Sequence, residues 1–478
     1  MQSIRNKFSN STTGVSPGFS SGVMKKRGQV CVSFAMMFML GFNIAATGAN
    51  VPSISASFHV AYSVISLFFL SYVTGFITTC IASSYVAREF GVRATLAGAN
   101  ILWIFGCLIF LLQTSFGACV LALTCLGLGS GLFEPTIVTV VTQQSTPVRV
   151  LWGTCSGSVF LYSSFAIGAG ISPLIIGGFA ERSIPWTNFY YFPVTICLVL
   201  AGLCHIVFQG YEETLSHDQA PSAHGMATFS STYPGDSTTK FGRRASFGSS
   251  VMSAPSRFAG LEIDRNCVAW GHKSDVSAMD RVGRVLRLRV AWIGFFLVNL
   301  SLATGELLGG WGTTYFLVLK EAPPGDSRFI QSGWWFGMAL GRLVLPILSP
   351  RVLGERLFAI VLLAFASCMI TVIGAVHSYK SDAVALAFYG FAYGPIVPHI
   401  LSMVSSRVST DLTGTVISLT LGVGVLGGAA APILFGAIAA DHGMLSMLPT
   451  CLIAGTLLGI FGWLLVPDHD DELKSTFH

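Results

Sequence analysis

Long apolar runs alternate with short polar breaks along the whole chain. Runs of about 20 or more residues, the length that crosses roughly 30 Å of hydrocarbon, lie near 29 to 52, 61 to 83, 94 to 116, 118 to 141, 151 to 178 and 188 to 208. A second set lies near 290 to 319, 330 to 349, 357 to 378, 382 to 406, 413 to 439 and 444 to 466. The pattern predicts an all-α membrane protein with twelve transmembrane helices, six on each side of a polar gap. The first run follows a polar, Ser-rich leader and is too long for the apolar part of a signal peptide, so it predicts a retained helix. The expected organisation is a disordered cytosolic leader (1–27), an N-terminal six-helix bundle (28–208), a largely disordered cytosolic linker (209–289), a C-terminal six-helix bundle (290–466) and an acidic cytosolic tail (467–478).

The two sets of helices echo each other, as expected of a transporter built from parallel halves. Gly127, Gly131 and Pro135 in the fourth helix align with Gly390, Gly394 and Pro398 in the tenth at an offset of 263. Gly168, Pro173 and Gly177 in the fifth align with Gly427, Pro432 and Gly436 in the eleventh at 259. The loops after the second and eighth helices carry Arg88, Gly91, Arg93 and Arg351, Gly354, Arg356, again 263 apart. Three matches in one chain order predict two pseudo-symmetric bundles, with those Arg and Gly loops as candidate gating loops.

Composition sharpens the picture. Charged residues are 10% of the chain and hydrophobic ones 52%, against roughly 25% charged in a soluble domain. If the helices alternate from a cytosolic N-terminus, 22 of the 27 Lys and Arg fall on the cytosolic side, which predicts that both termini are inside. The positive balance then follows from orientation and needs no nucleic-acid partner. A plasma membrane location is expected. Ten of the eleven cysteines lie in apolar runs without metal or redox spacing, so they read as small packing residues, and no cofactor is expected. In the linker, Arg243-Arg-Ala-Ser246 offers Ser246 to a basophilic kinase, and Arg281 to Arg289 alternates base and hydrophobe as a segment lying along the membrane surface does.

Three charges fall inside the predicted helices: Glu134, Glu306 and Arg342. Each would cost about 2.5 to 3.5 kcal/mol or more facing lipid, so each is expected to face protein or an aqueous cavity. Helical spacing gathers Asn299, Ala303, Glu306, Gly310 and Thr313 on one small, polar face of the seventh helix; a helix-packing seam is the other use of such a face. Glu134 precedes Pro135, which cannot donate to the carbonyl of Gly131, so a kink is expected there. A carboxyl beside a freed carbonyl is suited to proton exchange if water reaches it in one conformation only; the alternative is a permanently neutral, hydrogen-bonded Glu. Asn43, Thr47 and Asn50 form a polar stripe on the first helix, suited to hydroxylated ligands or to inter-helix hydrogen bonds. Trp311 offers a ring for stacking or for interfacial anchoring. His399 lies near the repeat position of Glu134 and is a candidate for touching substrate or proton, beside the commoner structural role.

Twelve helices in two halves, the long central linker and the duplicated Arg-x-x-Gly-x-Arg loops together resemble the major facilitator superfamily over nearly the whole chain. The loop after the second helix, Ser84-Ser-Tyr-Val-Ala-Arg88-Glu89-Phe-Gly91-Val-Arg93, keeps that family's Gly and last base, with its acid and base inverted and Ser for its leading Gly. Gly305-Glu306-Leu-Leu-Gly-Gly-Trp311-Gly-Thr-Thr-Tyr315 looks like the seventh helix of the fucose-permease and sodium-dependent glucose transporter branch. Gly337-Met-Ala-Leu-Gly341-Arg342 is similar to that branch's eighth helix, and Glu134 to its fourth-helix carboxyl. The branch's first-helix aspartate is replaced here by Asn43.

These readings converge on a secondary transporter working by alternating access, not an enzyme, moving a small-molecule substrate such as a sugar across the lipid bilayer. Glu134 is expected to couple a proton, with sodium as the other candidate ion. Asn43, Glu306, Trp311, Arg342 and His399 are expected to bind substrate, with Glu306 and Arg342 alternatively forming a gating pair. An exporter of drugs or secondary metabolites, and a non-transporting nutrient sensor, remain alternatives on the same fold.

Overall fold

The computed structural model describes residues 17–113, 115–143, 157–211, 278–352, 355–405 and 407–464, with some side chains near these limits, among them Arg88, Arg351 and Arg356, left out. Gly354, Ser246 and the acidic tail lie outside the described residues. Among the described residues eleven helices are long and apolar enough to cross a membrane. They are α1 (Met24–Phe58), α2 (Tyr62–Ser83), α3 (Glu89–Leu112), α4 (Phe116–Val141), α5 (Val159–Glu181), α6 (Trp186–Val207), α7 (Arg289–Val318), α9 (Leu357–Ala375), α10 (Tyr379–Ser405), α11 (Leu412–His442) and α12 (Met444–Gly462). Between α7 and α9 runs α8, Pro324–Val352, a 29-residue helix whose Gln331, Ser332 and Arg342 make it less apolar. Pro324 suits its first turn, where a missing N–H costs nothing, and Asp326 complements the dipole there. Arg328, which the sequence pattern put in a loop, sits inside this helix and is buried.

The sequence explains where helices bend. α2 and α3 run on as one helix that turns at Gly91, whose φ of 82° and ψ of 157° suit only glycine. Arg93, just beyond, meets the ring of His205 at the end of α6. The kink expected at Pro135 does not break α4, which stays helical through that residue. Its repeat partner behaves differently: α10 is helical over Tyr379–Tyr393 and Ile396–Ser405 and opens into a turn at Gly394 and Pro395. Two prolines three residues apart, Pro395 and Pro398, remove two helical donors within one turn there. A short amphipathic helix, Ala278–Leu286, precedes α7 and is tied to it by Trp292 Nε1 donating to the Leu286 carbonyl at 2.8 Å.

Packing follows the repeat. In the N-terminal half α1 lies on α5 and α2 on α4; in the C-terminal half α7 lies on α11 and α8 on α10. The repeat glycines are what allow this. A Cβ at Gly168 would overlap the Phe38 carbonyl across the α1–α5 seam, and one at Gly427 would overlap the Asn299 side chain across the α7–α11 seam. Small residues substitute for a hydrophobic drive between helices in lipid, because close backbones recover van der Waals contact. The halves meet along α1 with α7, α5 with α8 and α2 with α11, pairs that the repeat exchanges among themselves. Gly177 on α5 lies against Phe329 of α8, and its repeat mate Gly436 on α11 lies against Ser66 of α2.

Gly390→Ala places a methyl on the Trp334 carbonyl in α8, whereas nothing lies within 4 Å of a Cβ at Gly422. The first substitution is expected to cost about 1–3 kcal/mol from overpacking and the second to be neutral or slightly stabilising, read as thermal unfolding of the purified protein in detergent.

Candidate functional site

The break in α10 leaves a carbonyl without its helical donor, because Gly394 is four residues before Pro398. Arg342, on α8, takes it: Nε donates to the Gly394 oxygen at 3.1 Å. The same guanidinium reaches across to the other half, where Nη1 donates to the main-chain oxygen of Tyr162 on α5 at 2.9 Å. One charge placed between the halves is thus held by two neutral acceptors, one from each half. Carbonyl dipoles aimed at a guanidinium are a workable way to keep it out of lipid.

Tyr162 continues the chain. Its hydroxyl donates to Glu134 Oε1 on α4 at 3.4 Å, a long bond at the edge of the useful range. Tyr72 on α2 lies beside Ser130 of α4 and within electrostatic range of both Glu134 and Glu306. The two carboxyls come one from each half, Glu134 on α4 and Glu306 on α7. Glu306 projects from α7 toward α11, its Cγ against Gly428. That contact has its own freed carbonyl, since Pro432 cannot donate back to Gly428. Glu134, Glu306 and Arg342 are each half-buried, in contrast to fully buried neighbours such as Ser130, Phe133, Leu307 and Gly341. The arrangement can hold and release protons on two carboxyls, and it can offer a guanidinium and tyrosine hydroxyls to a polar solute.

The other expected site residues are placed differently. Arg342 makes its hydrogen bonds to Gly394 and Tyr162, not to Glu306, so the expected Glu306–Arg342 pair is not formed. Asn43 is buried inside the N-terminal half, its Oδ1 3.9 Å from Cys107 Sγ on α3. Trp311 is fully buried; its Nε1 donates to the Pro432 carbonyl at 2.9 Å, and its ring packs edge-on to Tyr62 at 5.9 Å and tilted against Phe69 at 5.8 Å. It seals the contact between halves instead of offering a face. His399 points into the C-terminal half, edge-on to Phe358 at 5.8 Å, in a small apolar cleft with Leu297, Leu363 and Leu458. Of the candidate gating loops, Gly91 and Arg93 are described as above, while the side chains of Arg88, Arg351 and Arg356, and Gly354 itself, fall outside the described residues.

Tyr162, Tyr72 and Trp335, uncharged and set in apolar helices, have no sequence pattern of their own that marks them for the site. Tyr162 lies well inside its apolar run and carries no charge to mark it there. Trp335, seven residues before Arg342 on the same face of α8, packs edge-on to Phe165 of α5 at 5.9 Å, and its buried Nε1 has no partner among the described residues. The spacing of 335 and 342 was the available signal.

The sequence profile of the Major Facilitator Superfamily matches residues 33–432, so the chain belongs to that superfamily and is a multi-pass membrane transporter. It is 21% identical over 449 residues to "Bypass of stop codon protein 6" of Saccharomyces cerevisiae, covering 92% of this chain and 82% of that one. It is also similar to the crystal structure of a D-xylose-proton symporter, with a TM-score of 0.62, 14% identity, and coverage of 92% of this chain and 98% of that chain.

Because Arg342 grips the main chain of residue 162, Tyr162→Phe leaves that bridge whole and removes only the bond to Glu134. Arg342→Met strips both carbonyls of their donor. The expected losses are about 0.5–1.5 kcal/mol for the tyrosine and about 1.5–3 kcal/mol for the arginine, measured side by side as thermal unfolding in one detergent.

Proposed function

We propose that this member of the major facilitator superfamily is a proton-coupled carrier of a sugar or a similar small polyhydroxylated solute, working by alternating access. The observation that carries the reading is the chain from Glu134 through Tyr162 to Arg342, which crosses from one half to the other, with Glu306 half-buried on α7 and close in sequence to the closing contact of Trp311. Binding at such a midplane junction is the general logic of two-repeat transporters. Glu134 is the proton-exchanging group. Its phenolic partner Tyr162 is tied by its own main chain to Arg342, so the charge on Glu134 is felt by the residue that bridges the halves. Glu306 and Arg342 bind the solute, joined by Tyr72 and by the unpartnered indole N–H of Trp335, which an acceptor oxygen of the solute satisfies. Trp311 contributes by closing the pathway, and Asn43 and His399 by packing within the halves. The similar solved structure is of a D-xylose-proton symporter, which supports this choice of cargo, as does the likeness to the fucose-permease branch in α7 and α8.

The linker and both termini are cytosolic in this reading, as the distribution of Lys and Arg argues. The test uses purified protein in liposomes loaded with a pH dye, challenged with a panel of monosaccharides and polyols. One sugar is expected to acidify the lumen with the wild type. With Glu134→Gln it is expected to exchange across the membrane without acidification or uphill accumulation. Full accumulation by Glu134→Gln would remove Glu134 from the coupling role. If no panel member is taken up, with radiolabel as the readout, the sugar reading fails and the exporter or sensor takes its place.

A further inference from the structure

The helices alternate, so α1 and α2, α5 and α6, and α7 and α8 are joined on one face of the molecule, and the long linker leaves from the other. On the first of these faces the halves are closed by apolar contact: Gly48 of α1 lies against the backbone of Gly309 and Gly310 in α7, and Trp311 packs on Tyr62 and Phe69 of α2. One charge is shut into this closure. Arg328, in the first turns of α8, is 2% exposed. Its Nε donates to the Ala49 carbonyl at 3.1 Å and its Nη2 to Ser53 Oγ at 2.7 Å, both on α1 in the opposite half. Its Nη1 donates to the Pro324 carbonyl of its own helix. Among the described residues no carboxylate pairs with it, in contrast to Lys320, which pairs with Asp382.

We infer that Arg328 is the polar latch of the gate on this face: a residue that holds α8 to α1 when the gate is shut and is released to water when it opens. The choice of partners suits a contact that must break in every cycle. A buried guanidinium facing a carboxylate would lose a matched charge pair on opening, whereas one facing a carbonyl and a hydroxyl gives up neutral acceptors and regains hydration. The bonds therefore set register between α1 and α8 and keep the N–H groups satisfied, without making the closed state too deep to leave. The contacts of Gly48 with Gly309 and Gly310, and of Trp311 with Tyr62 and Phe69, have little directional preference, so the arginine is what specifies how α1 and α8 seat. This inference needs only that the chain cycles between open and closed forms; it does not depend on the solute or on proton coupling.

The test reports opening directly. Ser66 of α2 is 6% exposed and faces Gly436 of α11 across the seam, so Ser66→Cys is a near-isosteric probe that a bulky maleimide reaches only when the gate opens. Labelling of the peptide that carries it is followed by mass spectrometry in detergent, where both faces are accessible. Cys107, fully buried inside the N-terminal half, is the internal reference. Adding Arg328→Gln is expected to raise the labelling rate at the probe about tenfold, the loss of two charge-assisted bonds, with Cys107 unchanged. Arg328→Lys is expected to restore most of the protection, and Ser53→Ala, which removes one acceptor, to raise labelling about threefold. Should Arg328→Gln fail to fold, Ser53→Ala carries the test. Equal probe labelling with and without the substitution, or a parallel rise at Cys107 that signals general loosening, would overturn the latch.

Discussion

A carbonyl that loses its helical donor inside a membrane must find another, and here the substitute is Arg342. Pro398 strips the Gly394 oxygen; the guanidinium supplies the missing N–H and, from the same plane, a second one to the main chain of Tyr162. Two problems that would each be costly alone, an unpaired peptide group and a charge in hydrocarbon, offset one another. The solution also joins the two halves at their junction. The break in α10, the bridge to α5 and the environment of Glu134 therefore form one mechanical unit, and disturbing any part of it is felt by the others.

Around that unit the duplication supplies order. Within each half, glycines let α5 close on α1 and α11 on α7 until backbone touches backbone or side chain. Between halves, the α5–α8 and α2–α11 seams are images of each other under the repeat, each with a glycine near the face where α7 joins α8. Two surfaces related in this way can rock about a central axis with similar contacts breaking on both sides, which is what alternating access requires. The charges depart from the symmetry. Thr79 stands at the repeat position of Arg342, and its hydroxyl satisfies the Leu128 carbonyl locally. The guanidinium thus gives the C-terminal half a reach that the N-terminal half lacks.

Much of this could be read from the chain. The twelve apolar runs, the repeat and the three unavoidable charges come straight from length, spacing and the cost of burying ions in lipid, and in the structure two of those charges, Glu134 and Arg342, are joined through Tyr162. Which side of a helix turns inward was far less legible. In water an amphipathic face marks the core, but a membrane helix is apolar toward lipid and apolar toward its neighbours, so periodicity carries little contrast. Asn43 and His399 consequently drew attention as polar residues in apolar helices although both pack inside their own half. Trp311 drew it as a free ring although its indole is bonded to Pro432. The converse error hid Arg328, since an arginine beside two prolines reads as a loop, and only the tertiary fold shows it entering the closed seam. Pro135 and Pro398 show the same limit: equal residues at repeat positions, with the helix intact at one and broken at the other, because Pro395 adds a second interruption beside Pro398.

In the proposed mechanism the two halves rock about Glu134, Glu306 and Arg342, with the charge on the carboxyls setting the balance. Spin labels at Leu112→Cys and Val376→Cys report the face of the short connections, and labels at Phe90→Cys and Leu357→Cys the linker face; all four positions are exposed. Pulsed electron resonance distances for each pair, taken in lipid nanodiscs as the pH is lowered from 8 to 5, test the claim most directly. The account predicts opposite changes, one pair lengthening as the other shortens, and predicts that Glu134→Gln abolishes the dependence on pH. Distances that stay fixed across the range, or that change in the same sense on both faces, would contradict it.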